Sequence, residues 1–268
     1  MTTQSSGARY SFLAARTGGE RMPSFDGHSE GTPLEVWYGD GRIHRIPVLP
    51  PRTLGTVDRL LVVVAHADDE TLGCGGTIAL ARRVGTPVEV VIVTDGAAAH
   101  GEASSSLAAQ RREEAQAALA ELGGGIALTF LDVPDEQTPT HRDWIATHVR
   151  RRGVGPAGRI LFLSTWAGDG HRDHQVVGEV CAEIARQLRH PLFAAPIWLW
   201  HWAWPDWARM PWNTLVRVEL DDELRMRKSA ALRRYPSQTG PGPAGQKPLL
   251  HPQFVRLFQG DDRLVRVV

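Results

Sequence analysis

Two short stretches of this chain gather side chains able to hold a divalent metal and to move protons: His66-Ala67-Asp68-Asp69 and His171-Arg172-Asp173-His174. An imidazole and a carboxylate three residues apart in a turn can converge on one cation as half of a zinc-type coordination sphere, leaving the intervening Asp68 free for proton transfer. Taken singly, either cluster also reads as a helix cap or a salt-bridged turn. Their shared context joins them. The first follows the apolar run Leu60 to Ala65, and the second follows Ile160 to Ser164 after a loop through Gly168 and Gly170.

Such runs are typical of central parallel strands covered on both faces, and open α/β sheets bind ligands just past the carboxyl ends of their strands. From Arg59 onward the pattern is regular. Strands are expected at Leu60 to Ala65, Val88 to Thr94, Ala127 to Leu131, Ile160 to Ser164 and Leu192 to Trp198. Helices are expected at Thr71 to Val84, Ser106 to Leu122, Arg142 to Arg152 and Gln175 to Arg189. Leu215 to Leu220 adds a strand and Asp221 to Arg234 a helix, before a flexible loop at 240–245 and a short tail. The sum is an α/β fold, Rossmann-like and doubly wound, with a mostly parallel sheet and helices on both faces. Residues 1–51, rich in Gly, Ser, Pro and Arg, read as a partly ordered lead-in with one short strand at Leu34 to Tyr38, and 52–268 as a single domain.

With 30 basic and 30 acidic residues among 268, the charge balance gives no reason for an obligatory nucleic-acid or anionic-membrane partner. Lys228 and Lys247 are the only lysines, a bias that genome composition explains more simply than phosphate recognition. Cys74 and Cys181 are too few for a disulfide framework and are expected to be reduced. Residues 1–20 lack a continuous apolar segment, and no run approaches the roughly 18 apolar residues of a membrane span. A cytoplasmic protein without secretion signal or membrane span is expected.

The two clusters resemble the PIG-L/LmbE-type family of N-acetylglucosaminyl deacetylases, whose first motif reads H-P-D-D-E and whose second reads H-x-D-H. The similarity runs from about Arg59 to Gln238. It takes in Gly73-Cys74-Gly75-Gly76, Thr94-Asp95-Gly96, Arg111, Glu114, Ala115, Leu122-Gly123, and Lys228 with Tyr235-Pro236-Ser237-Gln238. The resemblance implies that His66, Asp69 and His174 are metal ligands and Asp68 the general base. It implies that His171 stabilises charge on the carbonyl oxygen and protonates the leaving amine, with Asp173 orienting His171. Ala67 stands where the family usually has proline, which loosens a preset φ angle and removes no functional group.

Amide hydrolysis needs a hydroxide at neutral pH, a stabilised oxyanion and a proton for the departing nitrogen. Zinc lowers the pKa of bound water to about 7 and polarises the acyl oxygen. Zn2+ is therefore the expected cofactor, with Fe2+ as another ion such a site accepts. The expected substrate is a small-molecule amino-sugar conjugate that loses an N-acetyl or related small acyl group. An amidase acting on such a conjugate, or a non-catalytic glycan-binding protein on the same fold, are the alternatives. Two histidines and one carboxylate also form the facial triad of non-haem iron oxygenases, against which the extra Asp68 and His171 argue. The glycine-rich turn after the first strand suggests a dinucleotide loop, but the carboxylates of His66 to Glu70 would repel a pyrophosphate.

Glu70 reads either as a partner fixing a ligand histidine or as an exposed carboxylate at a helix start. Arg111 and Asp95 are expected to contact substrate, although Arg111 also reads as a pair with Glu114. Six of nine tryptophans fall between Trp198 and Trp212. Trp198, Trp200, Trp202 and Trp204 alternate with a period of two, as on one face of an extended segment, where they would stack on a sugar, pack into the core or join copies of the chain in a homo-oligomer. Trp202 is the expected substrate contact among them, and His201 a structural hydrogen-bonding residue.

Overall fold

The computed structural model describes residues 27–98, 104–154, 158–241 and 247–268. Most of the expected lead-in, and of the expected loop at 240–245, lies outside the described residues. Seven strands form one sheet: β1 (Arg59–Val64), β2 (Val88–Thr94), β3 (Ala127–Val133), β4 (Ile160–Thr165), β5 (Leu192–Ala195), β6 (Leu215–Val218) and β7 (Asp262–Arg266), in the order β3-β2-β1-β4-β5-β7-β6. The first five run parallel, and β7 lies antiparallel between β5 and β6.

The helices are α1 (Leu34–Gly39), α2 (Arg52–Gly55), α3 (Asp69–Arg83), α4 (Ser105–Glu121), α5 (Arg142–Gly153), α6 (Arg172–Leu188), α7 (Leu199–Trp202), α8 (Asp222–Leu232), α9 (Pro236–Thr239) and α10 (Pro252–Arg256). Leu60, Val62 and Val64 of β1 face a core shared with Ile78, Leu119 and Leu224 of α3, α4 and α8. Leu61 and Val63 face the opposite core, with Ile145 of α5 and Val177 and Val180 of α6. This two-sided burial is why β1 is apolar throughout instead of alternating. Chain direction along the sheet reverses between β1 and β4, which pair with one another, so the crevice at their carboxyl ends is a topological switch point. Both histidine clusters begin there.

Three elements differ from the sequence reading. Leu34 to Tyr38 is helix α1, because Leu34 and Trp37 share an i,i+3 face and Trp37 is buried, its Nε1 donating to the Trp200 carbonyl at 3.0 Å. The tail contains β7, inserted between β5 and β6. Strand β5 stops at Ala195 and the chain turns into α7, so Trp198, Trp200, Trp202 and Trp204 do not share one extended face. Trp200 packs edge-on against Trp37 at 5.0 Å, Trp202 edge-on against Trp207 at 4.8 Å, and Trp204 is exposed.

Cys74 and Cys181 are unpaired and buried. No described helix is long and apolar enough to cross a membrane.

Candidate metal centre and active site

Val64 ends β1, and the next turn delivers His66, Asp68 and Asp69 into the amino terminus of α3. Asp68 holds a φ of 139°, a conformation that L residues adopt at a cost of about 1–3 kcal/mol. This bend lets neighbouring carboxylates part. Asp69 turns toward the histidines, its Oδ2 accepting the His66 N–H at 2.8 Å, while Asp68 turns toward Arg111, whose Nη2 lies 3.4 Å from Oδ2. After β4, His171 caps α6 and His174 lies one turn in.

His66 Nδ1, Asp69 Oδ2 and His174 Nε2 form a triangle with sides of 3.5, 3.3 and 3.3 Å. Three ligands about 2.0–2.2 Å from one ion at tetrahedral angles stand about 3.3–3.6 Å apart, so the triangle has the dimensions of a zinc-type face. Its electronic character also fits. The far nitrogen of each imidazole meets a carboxylate: His66 Nε2 lies 3.1 Å from Asp173 Oδ2, and His174 Nδ1 lies 2.6 Å from Asp169 Oδ2. A carboxylate only accepts, so both ring protons are drawn outward and two nitrogen lone pairs face the Asp69 oxygen. Three converging acceptors call for a cation.

The same carboxylates raise the proton affinity of both imidazoles, so a metal would bind at these nitrogens in competition with protons. Burial works to lower both imidazoles, yet hydrogen bonds from the ring to Asp173 and Asp69 carry His66 up to about 10. The Asp69 charge and the bond to Asp169 carry His174 up to about 9. Asp69 and Asp173 are held below the usual carboxylate range by these same partners despite burial.

His171 stands apart. Burial, then the charges of His66 and His174, push it down to about 2, and its Nδ1 accepts the backbone N–H of Asp173 at 3.2 Å. It is a neutral imidazole with its proton on Nε2. His171 ring atoms lie close enough to those of His66 and His174 for one ligand atom of each to fall within 4.8 Å of the others. Burial, opposed by Arg111 and reinforced by Asp69, raises Asp68 to about 7, in the range of a general base at neutral pH.

These residues line a cavity of about 370 Å³. Its polar lining includes Asp68, Arg111, Asp135, Glu136 and Gln238, and its apolar wall is made of Leu72, Ile197, Trp198, Leu249 and Leu250. Arg111 is buried, donates to the Ala67 carbonyl at 2.6 Å, and is independent of Glu114, which accepts from Gln110 and from Ser237 of α9. Gly96, at a φ of +67°, leaves room for it: a Cβ there would stand 2.8 Å from Arg111 Cδ. Asp95 closes the turn before it, accepting the Ala97 N–H at 3.0 Å, and does not line the cavity. Nor does Trp202, whose indole N–H donates to the Asp169 carbonyl at 2.8 Å; the indole on the wall is Trp198. The Asp173 carboxylate serves His66, Thr138 and the Glu136 N–H, and the Asp173 backbone N–H donates to His171 Nδ1. Glu70 is buried, pushed up by that burial, and accepts from Thr71 at 2.5 Å and from the Tyr235 hydroxyl. His201 is buried with Ser29 as a partner.

Sequence reasoning passed over two carboxylates. Asp169 holds His174, and its position between Gly168 and Gly170, five residues before the ligand, was its only local signal. Asp135 follows β3; its Oδ2 accepts the Ala98 N–H, and its buried Oδ1 has no partner among the described residues.

Residues 61–185 match the PIG-L family, described as GlcNAc-PI de-N-acetylase. That match takes in a little under half of the chain. A diacetylchitobiose deacetylase from Thermococcus kodakarensis is 32% identical over 128 residues, 46% of this chain and 47% of that protein, so the match spans about half the length of that relative. Among solved structures, a deacetylase triple mutant of the teicoplanin biosynthetic pathway superposes with a TM-score of 0.60 at 21% identity, over 78% of this chain and 98% of that one. A 4-carboxy-2-hydroxymuconate hydratase from Pseudomonas putida superposes at 0.52 with 22% identity, over 78% and 96%. At these identities the structures establish a shared fold. The matched residues contain every metal-ligand, acid and base candidate named above, whereas the cavity residues Gly27, Ile197, Trp198, Gln238, Leu249 and Leu250 lie outside them.

Proposed function

We propose that this protein is a zinc-dependent hydrolase that removes an N-acetyl or similarly small acyl group from an amino-sugar conjugate. The observation that carries the reading is the convergence of His66 Nδ1, Asp69 Oδ2 and His174 Nε2 beside a carboxylate poised near pH 7 and a neutral imidazole with its proton on Nε2. Zinc held by the triangle would supply Lewis acidity toward the acyl oxygen and acidify the attacking water. Asp68 accepts the proton that water gives up. Arg111 keeps the Asp68 carboxylate facing the cavity, and the strained φ fixes its direction. His171 donates a hydrogen bond from Nε2 to the developing oxyanion, and the proton that Asp68 took from the water passes to the departing amine. Asp135, with one buried oxygen unpartnered, and Gln238 offer acceptors and donors to sugar hydroxyls, and the apolar wall covers the remainder of the conjugate. The relative named as a diacetylchitobiose deacetylase supports the substrate class, and a hydratase on the same fold leaves the choice of chemistry to the residues of the site.

The test is metal content together with acetate release from N-acetylglucosamine conjugates, for wild type and His174→Ala. About one zinc per chain and acetate release, both lost in the variant, establish the reading. A zinc-loaded protein inert toward every N-acetyl amino sugar overturns the substrate class, and failure to retain any divalent ion overturns the mechanism.

A further inference from the structure

Asp169 has more partners than one imidazole requires. Its Oδ1 accepts the N–H groups of Ile197 and Leu199, each at 2.8 Å, and its Oδ2 accepts the N–H of Trp198 at 3.0 Å besides the His174 Nδ1–H at 2.6 Å. Its carbonyl oxygen accepts the Trp202 indole at 2.8 Å, and the residue is fully buried. Three of these bonds fix the backbone that carries Ile197 and Trp198 to the cavity wall, and one fixes the nitrogen of a ligand.

We propose that Asp169 is a positioning residue that sets the apolar wall of the cavity and the ligand nitrogen of His174 together through a single carboxylate. The proposal rests on the metal-centre reading above and is independent of which amide is cleaved. Because hydrogen bonds weaken steeply with misalignment, the wall at Trp198 cannot shift by an ångström without disturbing the Oδ2 that orients His174. The indole of Trp202 pins the same residue from its carbonyl side. The tryptophan segment thereby acts on the metal centre without touching it.

Asparagine at 169 is nearly isosteric, but one of its two ends is a donor. Turned toward Ile197 and Leu199, that end would confront two N–H groups. Turned the other way it confronts only the Trp198 N–H and can donate to His174 Nδ1, and this is the less costly arrangement. The ring proton of His174 then moves to Nε2 and masks the lone pair that faces the metal.

The experiment compares wild type with Asp169→Asn by zinc competition against a chromophoric chelator and by amide hydrogen exchange of the zinc-loaded proteins. The expected result is a zinc Kd raised about 10- to 100-fold. The Trp198 amide should exchange at least about tenfold faster while those of Ile197 and Leu199 stay protected. Wild-type zinc affinity in the variant overturns the proposal, as does weakened zinc binding with an undisturbed Trp198 amide. Should Asp169→Asn fail to fold, Trp202→Phe decides: loss of one hydrogen bond to the Asp169 carbonyl should weaken zinc about threefold and speed Trp198 exchange, and no change in either overturns the coupling. Neither readout involves acetate, so a failure of the deacetylase reading and a failure of this coupling are separately visible.

Discussion

The Asp173 carboxylate holds His66, a residue 107 positions earlier in the chain, with Oδ2 3.1 Å from Nε2. The motif that supplies the candidate acid therefore also orients a ligand from the other cluster, and the two loops form one hydrogen-bonded unit. Asp173→Asn should raise the zinc Kd about 10- to 100-fold by freeing the His66 ring. A competition titration reads this directly; unchanged affinity with a reduced turnover would return Asp173 to His171 alone.

Asp68→Asn should leave zinc stoichiometry at the wild-type value and lower turnover about 10²- to 10⁴-fold, the usual worth of a positioned base. Asparagine keeps the shape beside Arg111 and tolerates the positive φ better than most residues. Steady-state kinetics with metal analysis on the same preparation separate loss of the base from loss of the metal.

Lys228 and Asp262 are both buried and 2.6 Å apart, and Asp262 also accepts from Thr77 of α3. Lys228→Ala should destabilise the protein by about 3–5 kcal/mol, because it strands a carboxylate without its counter-charge. Pairing it with Asp262→Asn should recover part of the loss, as urea unfolding would show.

Asp261 is held below the usual carboxylate range by Arg217, the Leu220 N–H and Arg225, against the opposing effect of burial. A lowered folded-state pKa contributes stability above the unfolded value of 3.8 that is lost as pH falls through the folded one. Asp261→Asn should therefore be less stable than wild type at pH 7, with the gap closing below about pH 4. Unfolding curves at pH 7 and pH 3 test the sign.

The sheet centre was legible because burial on both faces writes itself into sequence as runs such as Leu60–Val64 and Ile160–Ser164, and the ligand clusters were legible because they sit directly behind those runs. Helix ends were found to within a few residues where glycines or charges mark them. What escaped notice depends on partners far away in sequence. The period-two tryptophans mimic a strand, but the backbone there is bent by a carboxylate about thirty residues upstream, Asp169. Strand β7 is five residues long, and its place is set by β5 and β6, not by its own pattern. Trp37 makes α1 a helix by finding the Trp200 carbonyl. Composition and periodicity report local conformation and burial, and are silent on which distant group completes a hydrogen bond.

The cavity draws on Gly27 at one extreme and Leu249 and Leu250 at the other, whereas its metal triangle is complete once His174 is in place. The metal triangle therefore draws on one continuous span of the chain, whereas the cavity beside it is closed only when segments before and after that span are folded against it.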